Sequence, residues 1–187
     1  MTKEDIMKNI LLQIARDAIQ SKFDGHHIDK ESLIERYPEL GQKGAVFVTL
    51  TEDDNLRGCI GSIVAHTTLL EDIMHNARSA AFDDPRFMSL SESEMDKIKL
   101  EVSLLTPPVK VDYVDTEDLK KKIIAKEDGV ILKLNGYQAT FLPQVWEELT
   151  GFELFFAHLC HKAGLGQNCL SEHPEIYTYQ VEKVKEA

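Results

Sequence analysis

The chain opens on a helical period: Met7, Ile10, Leu11, Ile14, Ala15 and Ala18 share one face, with Thr2 placed to cap and Asp5 three residues on. That helix is expected to stop near Asp24-Gly25, and a shorter helical piece from about Asp29 is closed by Pro38. The pattern then turns to strands. Ala45 to Leu50 is rich in β-branched residues, polar Thr51 to Asn55 turns the chain, and Leu56 to Ile63 returns as the second strand of a hairpin. Thr68 with Glu71 introduces a second helical face of Leu70, Ile73, Met74, Ala77 and Ala81. Asp84-Pro85 ends it, because the residue before proline disfavours helical geometry. Ser91 with Glu94 marks a short capped turn. Ile98 to Leu105 then alternates, with Ile98, Leu100, Val102 and Leu104 on one side and Glu101 and Ser103 on the other.

After Thr106-Pro107-Pro108 and a helix from about Thr116 to Lys126, the order recurs. Gly129 to Leu134 resembles Gly44 to Leu50, Asn135-Gly136 is a two-residue hairpin turn, and Tyr137 to Leu142 returns. Pro143 opens a helix through Leu149, Thr150 with Glu153 caps another ending at Gly164, and Ile176 to Val184 makes a last strand. Strand, strand, helix, strand thus occurs twice. The expected fold is α+β, with two such repeats sharing one sheet and helices packed outside it.

At 187 residues with 43% hydrophobic and 28% charged, the chain reads as a soluble globular protein large enough for a substantial core. Its net charge of -11 opposes the electrostatic attraction that nonspecific nucleic-acid binding relies on. No apolar run approaches the roughly 20 residues needed to span a bilayer, and the N-terminus lacks the pattern of a secretory signal. Three cysteines, Cys59, Cys160 and Cys169, cannot all pair within one chain, so they are read as reduced thiols and the location as cytoplasmic.

The least generic stretch is Leu56-Arg57-Gly58-Cys59-Ile60-Gly61. In an extended strand Leu56, Gly58 and Ile60 share one face, while Arg57, Cys59 and Gly61 share the other. With helices on the face of Leu56, Ile60, Leu100 and Val102, the opposite face would carry Arg57, Cys59, Glu101 and Ser103. A guanidinium beside a thiol favours the nucleophilic thiolate, which makes Cys59 the candidate nucleophile and Glu101 a candidate general base or a partner that orients Arg57. The competing structural readings are Cys59 as small core filler and an Arg57-Glu101 ion pair. Asp83-Asp84-Pro85-Arg86-Phe87 is the second unusual stretch: it is read either as a helix stop held by a local ion pair or as an element that brings Arg86 and one aspartate, Asp84, to the rim of the same cleft. Arg57, Arg86, Ser103 and Asp84 are therefore the candidate substrate-binding residues, for an anionic ligand. His158, Cys160, His161, Cys169 and His173 lack the paired spacing of zinc modules, so no metal site is assigned. The usual phosphate-cradling loops are absent, and no cofactor is implied.

Taken together, these motifs resemble the AMMECR-type domain, protein A of the AmmeMemoRadiSam system. The resemblance rests on the hexapeptide at 56 to 61, Ala80-Ala81-Phe82 running into Asp84-Pro85-Arg86-Phe87, and Glu101-Val102-Ser103. It extends to Phe141-Leu142-Pro143-Gln144-Val145-Trp146 and to Leu159 to Leu165, and covers roughly residues 5 to 182. It implies a barrel-like, mainly antiparallel sheet, and association with a Memo-like protein and a radical S-adenosylmethionine enzyme. It supplies no reaction. The expected organisation is one domain over 1–187, divisible into lobes of about 1–110 and 111–187 with a cleft between them. The preferred functional expectation is a small cytosolic thiol enzyme. The alternatives are a non-catalytic adaptor for those partners and an RNA-binding module.

Overall fold

The Thr2 hydroxyl accepts a hydrogen bond from the Asp5 amide at 3.1 Å, and the Asp5 carboxylate accepts one from the Thr2 amide at 2.9 Å. This reciprocal cap satisfies two of the helix's orphan donors and opens α1, Lys3–Asp24, which Gly25 ends in the left-handed region at φ 71°. The computed structural model describes residues 1–187. Its other helices are α2 (Lys30–Arg36), α3 (Leu69–Phe82), α4 (Thr116–Lys122) and α5 (Phe152–Lys162). The strands are β1 (Ala45–Glu52), β2 (Asn55–Gly61), β3 (Ile98–Leu105), β4 (Val109–Val111), β5 (Gly129–Leu134), β6 (Tyr137–Phe141), β7 (Glu175–Tyr179) and β8 (Val181–Lys185). The chain divides into two compact units, Met1–Leu105 with Glu182–Ala187, and Thr106–Val181.

The first unit is built on a sheet of order β2-β1-β3-β8. Alternation along β1 and β3 sends Val46, Val48, Leu50, Leu100 and Val102 to one face, where they are fully buried in one core with Leu70, Ile73 and Ala77 of α3 and Ala15, Ala18 and Ile19 of α1. Each large apolar side chain covered in this way contributes about 1.5–3 kcal/mol. Backbone comes close to backbone at Gly58, where an added Cβ would lie 2.1 Å from the Ala80 carbonyl oxygen. The glycine is thus required by the approach of α3 to β2.

The second unit carries the order β4-β7-β5-β6, with Val130, Leu132 and Ile176 buried in one core with Phe155, Phe156 and Leu159 of α5. Trp146 stacks on Phe155, with centroids 3.6 Å apart, and its indole N–H donates to the Asp128 carbonyl at 2.8 Å. In both sheets the return strand of the hairpin is an edge strand, lying next to the first strand and then the third: β2-β1-β3 in one, β6-β5-β7 in the other.

The α+β class stands, but the strands form two separate four-stranded sheets where a single sheet is expected. The reason lies in two breaks. The last strand splits at Gln180 into β7 and β8, which belong to different sheets, and a short β4 follows Pro107-Pro108 and pairs with β7. At the break the Gln180 amide donates to the Thr106 hydroxyl, and the Thr106 amide donates to the Gln180 carbonyl. Two boundaries also move. The α4 helix stops at Lys122 because Ile123 is extended, and α5 is entered through Gly151 at φ 93° with no side-chain cap, so Thr150 and Glu153 form no capping box.

Cys160 and Cys169 form a disulfide, which corrects their reading as reduced thiols. Gly164, at φ 85°, turns the chain at the end of α5, the Leu165 amide donates to the Cys160 carbonyl, and the returning loop brings Cys169 against Cys160 in the core. Their sulfurs are bonded to each other rather than offered to a metal, and Cys59 is the free thiol. With two of the three cysteines bonded to each other, their number is no sign of a reducing compartment. No helix is long and apolar enough to cross a membrane.

Candidate functional site

The β2 strand lies at an edge of its sheet, so alternate backbone groups along it face away from β1 and need partners. At residue 59 those partners come from the turn after α3. The Asp84 carboxylate accepts from the Cys59 amide at 3.0 Å, while Arg86 Nη2 approaches the Cys59 carbonyl at 3.4 Å. The two side chains stand where a neighbouring strand would be. Asp84 also accepts from Arg86 Nε, Nη2 and the Arg86 amide at 3.1, 2.8 and 3.1 Å, a bidentate pair closed by a backbone bond. Proline at 85 stops α3 and makes this short return possible.

These contacts settle the electrostatics of the pair. Arg86's hydrogen bonds hold the Asp84 carboxyl far below the usual carboxylate range against the opposing effect of burial, with the Cys59 and Arg86 amides adding to the same direction. The Arg86 guanidinium is raised in turn, first by its hydrogen bonds to Asp84, with the Asp84 charge and the nearby Cys59 side chain also contributing. Arg86 remains open, its side chain 55% exposed, whereas that of Asp84 is 2% exposed.

On the sheet face away from α3, register places Cys59, Thr49 and Glu101 side by side on β2, β1 and β3. Cys59 Sγ and Thr49 Oγ1 are 3.2 Å apart, a thiol-hydroxyl hydrogen bond. Glu101 stands directly opposite Thr49 on its other side, so two strand spacings, roughly 10 Å, separate the backbones of Cys59 and Glu101. Both side chains are half-buried. The next row along this face is Gly61, Phe47 and Ser103. An added Cβ at Gly61 would fall 2.2 Å from the Phe47 ring, which therefore covers the glycine, and Ser103 is buried.

Three expectations need correction. Arg57 pairs with neither Cys59 nor Glu101. Its Nε and Nη2 donate to Glu94 at 2.9 and 3.3 Å, with the guanidinium largely buried. The register explains this: Leu50 pairs with Gly58 but Thr51 pairs with Leu56, so Arg57 is the extra residue of a β-bulge and strict alternation fails there. The same shift takes Leu56 off the helix-covered face and leaves it 42% exposed. Asp84, expected to meet a ligand, has both oxygens committed to Cys59 and Arg86. Glu101 does not orient Arg57, a role that Glu94 takes.

Thr49 and Glu94 are the members the sequence reading misses. Glu94 is legible only as the cap of Ser91, whose amide it accepts at 2.7 Å, and the same carboxylate serves Arg57. The Arg57 guanidinium first, and the Ser91 amide next, lower its pKa to about 2. Arg57 Nη1 is buried with no partner in the protein. Thr49 could be found only from the hairpin register.

What the site offers is one free thiol with a hydroxyl at hydrogen-bond distance, an open guanidinium fixed at the peptide of the same cysteine, and a carboxylate opposite the hydroxyl in strand register. Comparison with known proteins places the chain. The AMMECR1 family model matches residues 12–184. A protein of Sulfolobus acidocaldarius is 39% identical over 173 residues, covering 89% of this chain and 75% of that protein. Protein Mbar_A1807 of Methanosarcina barkeri is 36% identical over 185 residues, covering 97% and 91%. The crystal structure of the uncharacterized protein PH0010 from Pyrococcus horikoshii superposes with a TM-score of 0.76 at 36% identity, over 95% of this chain and 90% of that one. On this agreement of family model, relatives and fold, the chain belongs to the AMMECR1 family.

Proposed function

We propose that the chain is a small thiol-dependent enzyme that binds an anionic small molecule or modified group, with Cys59 as nucleophile. The observation that carries the reading is the row Cys59-Thr49-Glu101 with Arg86 fixed at its open end. Sγ forms the bond to the electrophilic carbon and the leaving group departs with its electron pair. The thiol proton passes to Thr49 Oγ1, 3.2 Å from the sulfur, and that hydroxyl releases its own to Glu101, which lies opposite Thr49 in register and accepts it once its side chain turns to the hydroxyl. Arg86 supplies the charge first sought at Arg57, and its Nη1, which makes no bond to Asp84 or Cys59, is the donor left for the substrate's anionic group. Asp84 is a positioning residue, since it holds the peptide that carries the nucleophile.

The shared strand order of the two sheets supports an internal duplication as the origin of the fold. Partnership with a Memo-like protein and a radical S-adenosylmethionine enzyme rests on family resemblance, and such partners would supply or consume the modified group.

A pair of reagents tests the anion site. Iodoacetate and iodoacetamide differ by one negative charge, so their relative rates at Cys59, followed by intact mass, report the field at the thiol. Relative to free glutathione, the wild-type protein is expected to favour iodoacetate by about tenfold, and Arg86→Gln to lose that preference, as one charge-assisted contact of about 1.4 kcal/mol requires. Equal preference in the two proteins would remove Arg86 from ligand binding.

A further inference from the structure

Along one side of α3, from Glu71 in its first turn to Asp83 at its end, the helix and the end of α1 leave a cavity of about 550 Å³ that no part of the thiol site uses. This volume suits a small organic ligand. Its apolar side is Phe23, Met74 and Phe82, the two rings packed edge to face with centroids 5.5 Å apart. Its polar side is unusual for so acidic a protein. Lys22 lies in the last turn of α1 and makes no ion pair. Arg78 donates through Nε to the Ala18 carbonyl and through Nη2 to the Ser21 hydroxyl, both at 3.0 Å, so it is held by neutral groups and its charge has no carboxylate partner. Of the two acidic lining residues, Glu71 is paired with Lys30 at 2.7 Å, and Asp83 is the exposed C-cap of α3.

A guanidinium anchored in place with its charge uncompensated, a free ammonium and an aromatic floor are complementary to one ligand chemistry: a flat or chain-like apolar body ending in a carboxylate. We propose that this cavity is a binding site for an arylalkyl carboxylate, separate from Cys59. The ring lies against Phe23 and Phe82, and the carboxylate meets Arg78 and Lys22. Arg78 meets the ligand as a preorganised donor, because its bonds to α1 already fix the guanidinium.

The probe is 3-phenylpropionate, with the neutral 3-phenylpropanol as control, titrated into the isotopically labelled full chain and followed by amide and methyl chemical shifts. A ligand of this size reaches about millimolar affinity. The expected result is a saturable shift confined to the surroundings of Lys22, Phe23, Met74, Arg78 and Phe82, with the alcohol about tenfold weaker. Lys22→Glu, a change on an exposed side chain, is expected to weaken the acid about fivefold or more without affecting the alcohol. Ser79→Trp, which fills the cavity, is expected to abolish both shifts, with its fold checked by thermal melting. The proposal is overturned if no shift saturates at these residues, if acid and alcohol bind equally, or if Lys22→Glu leaves the acid's affinity unchanged. None of these readouts involves Cys59, so failure here leaves the thiol proposal standing and the reverse.

Discussion

At the scale of single residues, the signature stretch works through its backbone as much as through its side chains. Gly58 admits α3, and Cys59 is pinned by Asp84 and Arg86. Because the space at Gly58 ends at a carbonyl oxygen, Gly58→Ala forces helix and strand apart and is expected to cost about 3 kcal/mol in a urea melt of the full chain. The acid response follows from two carboxylates. Asp84 and Glu94 both have folded-state pKa values below their unfolded ones, so the stability they contribute is complete above the ordinary carboxylate range. It is lost as pH falls through the folded values, about 2 for Glu94. Stability measured between pH 5 and 2 is therefore expected to fall, and Glu94→Gln to be less stable at pH 5 while losing less on acidification. The strand alternation at Gly58 to Gly61 was legible in the sequence. The bulge that redirects Arg57 was not, since an extra residue in one strand leaves no trace until its partner strand is known.

Among the elements, the helices were the most legible, because capping residues and apolar spacing are local: Thr2 with Asp5 and Thr68 ahead of Glu71 both sit where α1 and α3 begin. The division into two sheets was not. Pro107-Pro108 advertises a break, but Gln180 lies in a stretch that reads as one continuous strand, and only pairing with β4 and β3 separates its halves. The disulfide is a tertiary fact of the same kind, set by the turn at Gly164. It closes a short loop, its cysteines nine residues apart, which corresponds to about 3 kcal/mol in the chain-entropy account. Reduction is expected to lower the stability of the second unit by about 2–3 kcal/mol. The single tryptophan, Trp146, lies in that unit's core and reports the change by fluorescence during urea unfolding. An unchanged midpoint would show that the bridge contributes nothing there.

For the molecule as a whole, family membership and fold agree, and the thiol site depends on only one of the two units. That unit combines a sheet face carrying Cys59, Thr49 and Glu101 with a turn that locks the edge strand at the nucleophile. The disulfide sharpens the test, since a chain that has not been reduced offers one thiol where the sequence counts three cysteines. The most direct measurement is the rate of iodoacetamide alkylation of the folded, unreduced protein at pH 7, followed by intact mass and peptide mapping and compared with glutathione. The account predicts a single addition, at Cys59, about tenfold or more faster than glutathione, and slowed by Thr49→Val and by Glu101→Gln in proteins that melt normally. A Cys59 that reacts more slowly than glutathione, or at a rate indifferent to Thr49 and Glu101, would contradict it.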